Sequence, residues 1–248
     1  MPEWFEDEVR ALERRPLRRP LRRRRRCNLV LFYGSSSFTL WDGLDSAFPA
    51  YTVLNRAFGG STLADCLEYF DRLVVPLAPR AIVLYAGDND LDNGESPEGV
   101  LALLKALVAR KRRTLGAVPM AYVSIKPSPA RFHIMYKISY TNAIIESHLA
   151  GQDDVEYVDI FRRMSARGIR PFMGYYSEDP LHMNRHGYRI WSAALSEWLD
   201  DLDRRIGHLK RKRRRRIGLG ARPPRPAPRW SRPAHRRAAA RPRRRPRA

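Results

Sequence analysis

Four short stretches of the 248-residue chain carry side chains that together could perform nucleophilic chemistry. They supply a serine, two adjacent glycines, an asparagine and an Asp-x-x-His segment, namely Ser36, Gly59-Gly60, Asn89, Asp179 and His182. A serine hydroxyl becomes a nucleophile when a neutral imidazole takes its proton, and a carboxylate fixes the tautomer of that imidazole. One short turn could present both Asp179 and His182. The set is therefore suited to acyl transfer.

The same set also contains the donors that acyl transfer needs at its oxyanion. A tetrahedral intermediate is stabilised by N–H groups that point at the developing negative charge. The backbone N–H of Ser36, the N–H of Gly60 and the side-chain amide of Asn89 would supply three such donors. Gly59 is the alternative to Gly60 for the second of them.

Each of these residues also has a structural interpretation when it is taken alone. Ser36 follows an apolar run and Gly34, at a position where serine commonly caps the next helix. His182 alone would carry no inference, because most histidines are not catalytic. The apolar residues before Asp179, among them Phe172 and Met173, could line a pocket or merely pack a long loop. The combination of all four stretches favours the catalytic interpretation.

The elements that must position these residues follow from the apolar pattern. Apolar runs predict five strands, at 27–33, 51–54, 81–86, 118–125 and 155–160. Helical spacing predicts helices at 3–14, 39–48, 61–74, 97–113, 132–150 and 186–204. This alternation predicts a parallel sheet with helices on both faces, with the fully apolar strand 81–86 at its centre. The loops that carry the candidate residues would then meet at the carboxyl edge of the sheet.

Read in order, the four stretches resemble the GDSL/SGNH hydrolases, in particular the branch whose first block reads Phe-Tyr-Gly-Ser-Ser-Ser. The matching blocks lie at 32–37, 55–62, 85–90 and 179–184, so the resemblance covers roughly residues 27–200. It implies a three-layer α/β/α sandwich of the flavodoxin-like kind. It also implies hydrolysis of small esters, without a metal or a cofactor.

The resemblance assigns a role to each candidate residue. Ser36 corresponds to the nucleophile, Asp179 and His182 to the Asp-x-x-His pair, and Gly60 and Asn89 to the oxyanion donors. Ser35 stands where the family usually has aspartate. The position of Trp41 favours Ser36 over Ser37 as the nucleophile, and Ser37 remains the alternative.

The net charge of +21 resides in the two ends of the chain. Residues 1–26 carry +5, residues 209–248 carry +18 with no acid, and the stretch between them carries −2. We therefore expect an N-terminal helix with a basic linker (1–26), a hydrolase domain (27–208) and a disordered Arg/Pro-rich tail (209–248). The tail could contact polyanions nonspecifically. The alternative function is a non-catalytic binding protein that attaches through this tail, and the intact catalytic set argues against it.

Several other classes of protein are disfavoured. No apolar run approaches the ~18 residues of a membrane span. The acids from Asp88 to Asp92 alternate as in a calcium loop but lack its glycine and closing glutamate, and Cys27 and Cys66 lack metal-ligand spacing. The arginines at 22–26 could mimic an export signal, but cleavage after the next apolar run would remove Ser36. A cytoplasmic location is therefore expected, and the oligomeric state is left open.

Overall fold

A computed structural model describes residues 3–14, 28–168 and 170–219. Its centre is a five-stranded sheet in the order β2-β1-β3-β4-β5, in which every neighbouring pair is parallel. The strands are β1 (Leu29–Gly34), β2 (Thr52–Asn55), β3 (Ala81–Tyr85), β4 (Met120–Val123) and β5 (Val155–Val158). The predicted parallel sheet is confirmed, with β3 in the middle position.

Helices flank the sheet and connect its strands. They are α1 (Glu3–Arg14), α2 (Ser36–Thr39), α3 (Leu44–Ala47), α4 (Leu63–Glu68), α5 (Phe70–Leu73), α6 (Asp88–Asp92), α7 (Pro97–Leu115), α8 (Met135–Leu149), α9 (Phe161–Met164) and α10 (Arg185–Leu219). Three 3₁₀ segments lie at Val75–Leu77, Pro129–Ile134 and Met173–Tyr175. Within the described residues, no helix has the length and apolarity that crossing a membrane requires.

The alternation of side chains along the strands gives the sheet two buried faces. On β1, Leu31 and Tyr33 join the core built with α1, α4, α5, α7 and α8. Phe32 points to the opposite face, where its ring lies 5.1 Å from that of Phe38. On that face the ring of Trp191 of α10 lies 4.7 Å from that of Tyr85. Burial of both faces produces the predicted three-layer α/β/α sandwich.

Two predicted helices are broken into shorter pieces. The helix predicted at 39–48 is wrong, because α2 ends at Thr39 and α3 begins only at Leu44. Gly43 separates the two with a φ of +68°, a left-handed conformation that interrupts a right-handed helix. The helix predicted at 61–74 is likewise divided into α4 and α5, with a capping box at Thr62 rather than a start at Ser61.

The last helix is longer than predicted. It was expected to end at residue 204, but α10 extends to Leu219. Residues 209–219 of the predicted disordered tail are thus helical, while residues 220–248 and Cys27 lie outside the described residues. Packing divides the chain into one unit that ends at Asp203 and another that starts at Arg204. The predicted division at 26 and 208 stays a prediction.

Candidate active site

Gly34 places the Ser35–Ser37 turn against the neighbouring strand. Its φ is +131°, and a Cβ at this position would lie 1.9 Å from the carbonyl oxygen of Tyr85 on β3. Any side chain here would therefore force β1 and β3 apart. The N–H of Ser35 donates to the same Tyr85 oxygen at 2.9 Å. These contacts hold the start of α2 at the carboxyl end of the sheet, where the strand order reverses direction between β1 and β3.

The hydroxyl of Ser36 lies within hydrogen-bond distance of the His182 ring. The distance from Ser36 Oγ to His182 Nε2 is 3.0 Å, between residues 146 positions apart in the chain. On the other side of the ring, Nδ1 of His182 contacts the Asp179 carboxylate. The structure thus brings together the serine, histidine and aspartate that the sequence singled out. Their order from hydroxyl to imidazole to carboxylate is the one that nucleophilic catalysis requires.

Asp179 is held in its ionised form. Its Oδ1 accepts a hydrogen bond from the backbone N–H of Leu181 at 2.8 Å. This bond, followed by the contact with His182, lowers the pKa of the Asp179 carboxyl below its ordinary value. The carboxylate is therefore available to orient the imidazole near neutral pH.

The three adjacent serines differ in their surroundings. Ser36 is half-buried at the site, whereas Ser35 and Ser37 are each only 1% exposed. The hydroxyl oxygen of Ser37 is buried without a hydrogen-bond partner. The hydroxyl of Ser35 instead accepts a hydrogen bond from the Asn89 amide at 2.8 Å. Ser36 is the one of the three whose hydroxyl meets His182.

The Asn89 side chain reaches the same turn from the start of α6. Its Nδ2 donates to Ser35 Oγ at 2.8 Å and to the carbonyl oxygen of Ser61 at 2.9 Å. Its Oδ1 accepts a hydrogen bond from Arg131 at 2.8 Å. Every polar group of this amide is therefore engaged, and its nitrogen lies on the side of the serine turn.

The two candidate glycines also differ. The N–H of Gly59 lies 3.2 and 3.3 Å from the two carboxylate oxygens of Glu8 on α1. Gly60 is exposed and has a φ of +72°, a conformation that favours glycine. Because the Gly59 N–H already donates to Glu8, Gly60 is better placed than Gly59 to donate a hydrogen bond to another acceptor.

A buried group of charged side chains lies behind Asn89. Asp88 Oδ2 accepts hydrogen bonds from Lys126 Nζ and from the Tyr85 hydroxyl, each at 2.9 Å. Arg131 Nη1 lies 3.5 Å from the same oxygen. Although burial opposes it, the positive charges of Lys126 and then Arg131 lower the pKa of Asp88 to about 2. The carboxylate is therefore ionised despite its burial.

The environment of Asp90 shifts the pKa of its carboxyl in the opposite direction from that of Asp88. Both of its carboxylate oxygens accept the N–H of Leu63, at 2.9 and 3.1 Å, which connects α6 to the start of α4. Burial dominates here and raises the pKa of Asp90 to about 7.

Three residues of the site were missed by the sequence analysis: Ser35 as a partner of Asn89, Lys126 and Arg131. The segment from Lys126 to Pro129 contains two prolines and a serine, a composition that is typical of a turn. The one available signal was a pair of cations at the end of a strand, on the edge where the candidate residues gather. Burial of both cations depends on Asp88, which begins α6 after a different strand, so no local pattern shows it.

A groove of about 560 Å³ is lined by residues that lie close to Ser36 and His182 in the sequence. Leu40, one turn after Ser36, and Met183, next to His182, are among its lining residues. Leu40 is 52% exposed there. Trp41 and Tyr188 supply further lining, and their rings stack at 4.8 Å. The groove could hold an apolar portion of a small molecule bound at Ser36.

In the parts of the chain that the structure describes, no three metal-ligating side chains come together. Outside the Ser36 site, His148 is bonded to Gln152 and the His133 side chain is 66% exposed.

Comparison with known proteins identifies the family. Residues 32–190 match the model of the GDSL-like Lipase/Acylhydrolase family, so the resemblance drawn from the four blocks is confirmed. Among curated proteins, none matches the chain.

Three solved structures share the fold. A GDSL-like lipase from Bacteroides thetaiotaomicron is 19% identical with a TM-score of 0.65, over 81% of this chain and 97% of that one. A lipase/acylhydrolase from Enterococcus faecalis is 14% identical with a TM-score of 0.59, over 69% and 95%. A catalytic mutant of an acetylxylan esterase from Geobacillus stearothermophilus is 14% identical with a TM-score of 0.56, over 68% and 92%. The family match spans more than half of the sequence, and the chain belongs to the GDSL-like lipase/acylhydrolase family.

Proposed function

We propose that the protein is a serine hydrolase that cleaves esters of small acyl groups, with Ser36 as its nucleophile. Family membership supports ester hydrolysis in general. The observation that carries the specific proposal is the 3.0 Å distance between Ser36 Oγ and His182 Nε2, combined with the contact between His182 and Asp179. Few arrangements other than an activated nucleophile bring these three groups together in this order.

Acylation begins with attack of Ser36 Oγ on the ester carbonyl carbon. His182 Nε2 takes the hydroxyl proton as the new C–O bond forms, and the carbonyl electron pair moves onto its oxygen. Asp179 stabilises the imidazolium that results. The intermediate then expels the alcohol, which takes the proton from His182 as the original ester bond breaks. An acyl group remains bound to Ser36.

The negative oxygen of the intermediate would be met by three donors. These are the N–H of Ser36, the N–H of Gly60 and the Nδ2 amide of Asn89, with Gly59 less suited because Glu8 accepts its hydrogen bond. The hydrogen bond from Asn89 to the Ser35 hydroxyl is the one that an incoming oxyanion would replace. Deacylation repeats the cycle with water in place of the serine hydroxyl, again with His182 as the base.

The groove that contains Leu40 and Met183 would accommodate the apolar part of the ester. Its lining begins one turn from Ser36 and next to His182, so one substituent of the carbonyl carbon could extend into it. A larger side chain at Leu40 should therefore shorten the longest acyl chain that is hydrolysed, without removing activity on acetyl esters.

The experiment is hydrolysis of p-nitrophenyl esters of increasing acyl length by the wild type and Ser36→Ala, with Ser37→Ala as the matched control. We expect loss of hydrolysis in Ser36→Ala and retention in Ser37→Ala, with unchanged circular dichroism in both. Equal hydrolysis by wild type and Ser36→Ala would overturn the assignment of the nucleophile.

A further inference from the structure

The orientation of the Asn89 amide decides whether it can stabilise an oxyanion. The two ends of a side-chain amide have nearly the same shape, but one donates hydrogen bonds and the other accepts them. A rotation of 180° would present Oδ1 to the serine turn in place of Nδ2. An oxygen at that position would repel the negative charge that forms during acyl transfer.

Arg131 contacts the end of the amide that faces away from the serine turn. Its Nη2 donates to Asn89 Oδ1 at 2.8 Å. A guanidinium has donors only, so the atom it contacts must be the amide oxygen. The amide nitrogen is then directed to Ser35 Oγ and to the Ser61 carbonyl oxygen. The Ser35 hydroxyl can either donate or accept, so it does not fix the orientation, whereas the Ser61 carbonyl oxygen can only accept and favours the same orientation as Arg131 does.

Arg131 is itself held in place by two carboxylates, one of which is buried. The residue is 6% exposed, and its guanidinium faces Asp88 at 3.5 Å and Asp92 at 3.3 Å. Lys126 shares the Asp88 carboxylate and supplies the remaining positive charge of this cluster. If this guanidinium turned into solvent, the buried Asp88 carboxylate would keep only Lys126 as its counter-charge.

The segment that carries Arg131 also contacts the loop of the histidine. The N–H of Ala130 donates to the Pro180 carbonyl oxygen at 3.2 Å, between Asp179 and His182 in sequence. The hydroxyl of Tyr176 donates to the Pro127 carbonyl oxygen. Residues 126–131 thus touch both Asn89 and the Asp179–His182 loop.

We propose that Arg131 is a positioning residue for ester hydrolysis, which holds the Asn89 amide with its N–H toward the oxyanion of the substrate. The inference rests on the proposed function, since it presumes acyl transfer at Ser36. In this proposal Arg131 acts through Asn89, which it contacts directly, rather than through contact with the substrate. Its contribution therefore exists only while Asn89 is present.

The test is a double-mutant cycle on p-nitrophenyl acetate hydrolysis, with wild type, Arg131→Met, Asn89→Ala and the double variant. We expect Arg131→Met to lower kcat by at least about tenfold and by no more than the ~10²–10³ that complete loss of an oxyanion donor costs. The KM should change much less. In the Asn89→Ala background the same substitution should change kcat by less than about threefold. Equal factors in the two backgrounds would overturn the proposal.

Arg80→Met is the matched control for loss of a partly buried arginine. Arg80 also donates to an asparagine oxygen, that of Asn28 at 2.8 Å, and also pairs with a carboxylate, that of Asp203. It lies at the amino end of β3, on the opposite edge of the sheet from Ser36. We expect the kcat of Arg80→Met to equal that of the wild type.

Two further variants keep the test decisive. Arg131→Lys retains the charge beside Asp88 but cannot span both carboxylates and Asn89, so its kcat should fall between those of wild type and Arg131→Met. It also replaces Arg131→Met in the cycle if that variant does not fold. Ser36→Ala separates the two claims. If Ser36→Ala hydrolyses the ester as well as wild type does, the proposed function fails; if Ser36→Ala is inactive but the cycle is additive, only the role of Arg131 fails.

Discussion

At the scale of single residues, the site is built from groups whose chemistry depends on their immediate neighbours. Ser36, Ser35 and Ser37 are chemically identical and adjacent, yet only the Ser36 hydroxyl lies at the histidine ring. Asp88 and Asp90 are two residues apart, yet their pKa values move in opposite directions, to about 2 and about 7. Nearby positive charge lowers the pKa of Asp88, and burial raises the pKa of Asp90.

The Asn89 amide is predicted to act on the rate of the chemical step. Asn89→Ala should lower kcat by about 10²–10³, because one oxyanion donor is lost, and should leave KM nearly unchanged. Steady-state kinetics on p-nitrophenyl acetate measures both. Asn93→Ala, an exposed asparagine at the end of α6, is the control and should behave as wild type. Full turnover in Asn89→Ala would remove Asn89 from the mechanism.

Asp90 is predicted to make stability fall as pH rises. Its carboxyl titrates near the ordinary value of 3.8 when the chain is unfolded and near 7 when it is folded. Between these pH values the folded state holds the extra proton, so the free energy of unfolding decreases by about 1.4 kcal/mol per pH unit from this group. The decrease is complete above about pH 7.

Urea unfolding at pH 4.5 and pH 7.5 measures this effect against Asp90→Asn. Asparagine resembles the protonated carboxyl and can still accept the Leu63 N–H. The stability of Asp90→Asn relative to wild type should therefore increase with pH by a few kcal/mol. Asp45→Asn, an exposed change on α3, serves as the control. A pH-independent difference between Asp90→Asn and wild type would contradict the assignment.

At the scale of elements, the carboxyl ends of three strands and the loop before α10 bring the site together. The sequence was sufficient to predict this gathering, because continuous apolar runs identify buried parallel strands whatever surrounds them. It was not sufficient for the segment after β4. The burial of Lys126 and Arg131 depends on Asp88, at the start of α6, which compensates their charge. The helix break at Gly43 was also missed, because the helical spacing of apolar residues continues across it.

Lys126 is predicted to contribute to stability through Asp88. Lys126→Met should lower the free energy of unfolding by about 3 kcal/mol, because it leaves a buried carboxylate short of its main counter-charge. Denaturant titration measures the change. Adding Asp88→Asn to Lys126→Met removes the uncompensated charge and should restore part of the loss. A loss below about 1 kcal/mol in Lys126→Met would show that Arg131 alone suffices.

At the scale of the whole molecule, the positive charge is concentrated towards the two ends of the chain. The stretch between the basic ends carries −2, although the chain as a whole carries +21. We propose that the C-terminal end provides nonspecific contact with polyanions, through a density of positive charge that attracts any phosphate or sulfate polymer. The catalysis proposed for Ser36 would need none of this charge.

Deletion of residues 220–248 tests this proposal and leaves every described residue in place. The segment carries 11 arginines and no acid. The shortened chain should elute from heparin at a markedly lower salt concentration, because fewer counterions are released on binding. Its kcat on p-nitrophenyl acetate should be unchanged. Identical elution of the two chains would exclude a contribution of this segment.

The most direct test of the central claim is to locate the covalent adduct that a serine-reactive fluorophosphonate leaves on the protein. We predict one adduct per chain, found by peptide mass spectrometry on Ser36, and none on His182→Ala treated in the same way, because the hydroxyl then lacks its base. An adduct on Ser35 or Ser37, or equal labelling of wild type and His182→Ala, would contradict the account.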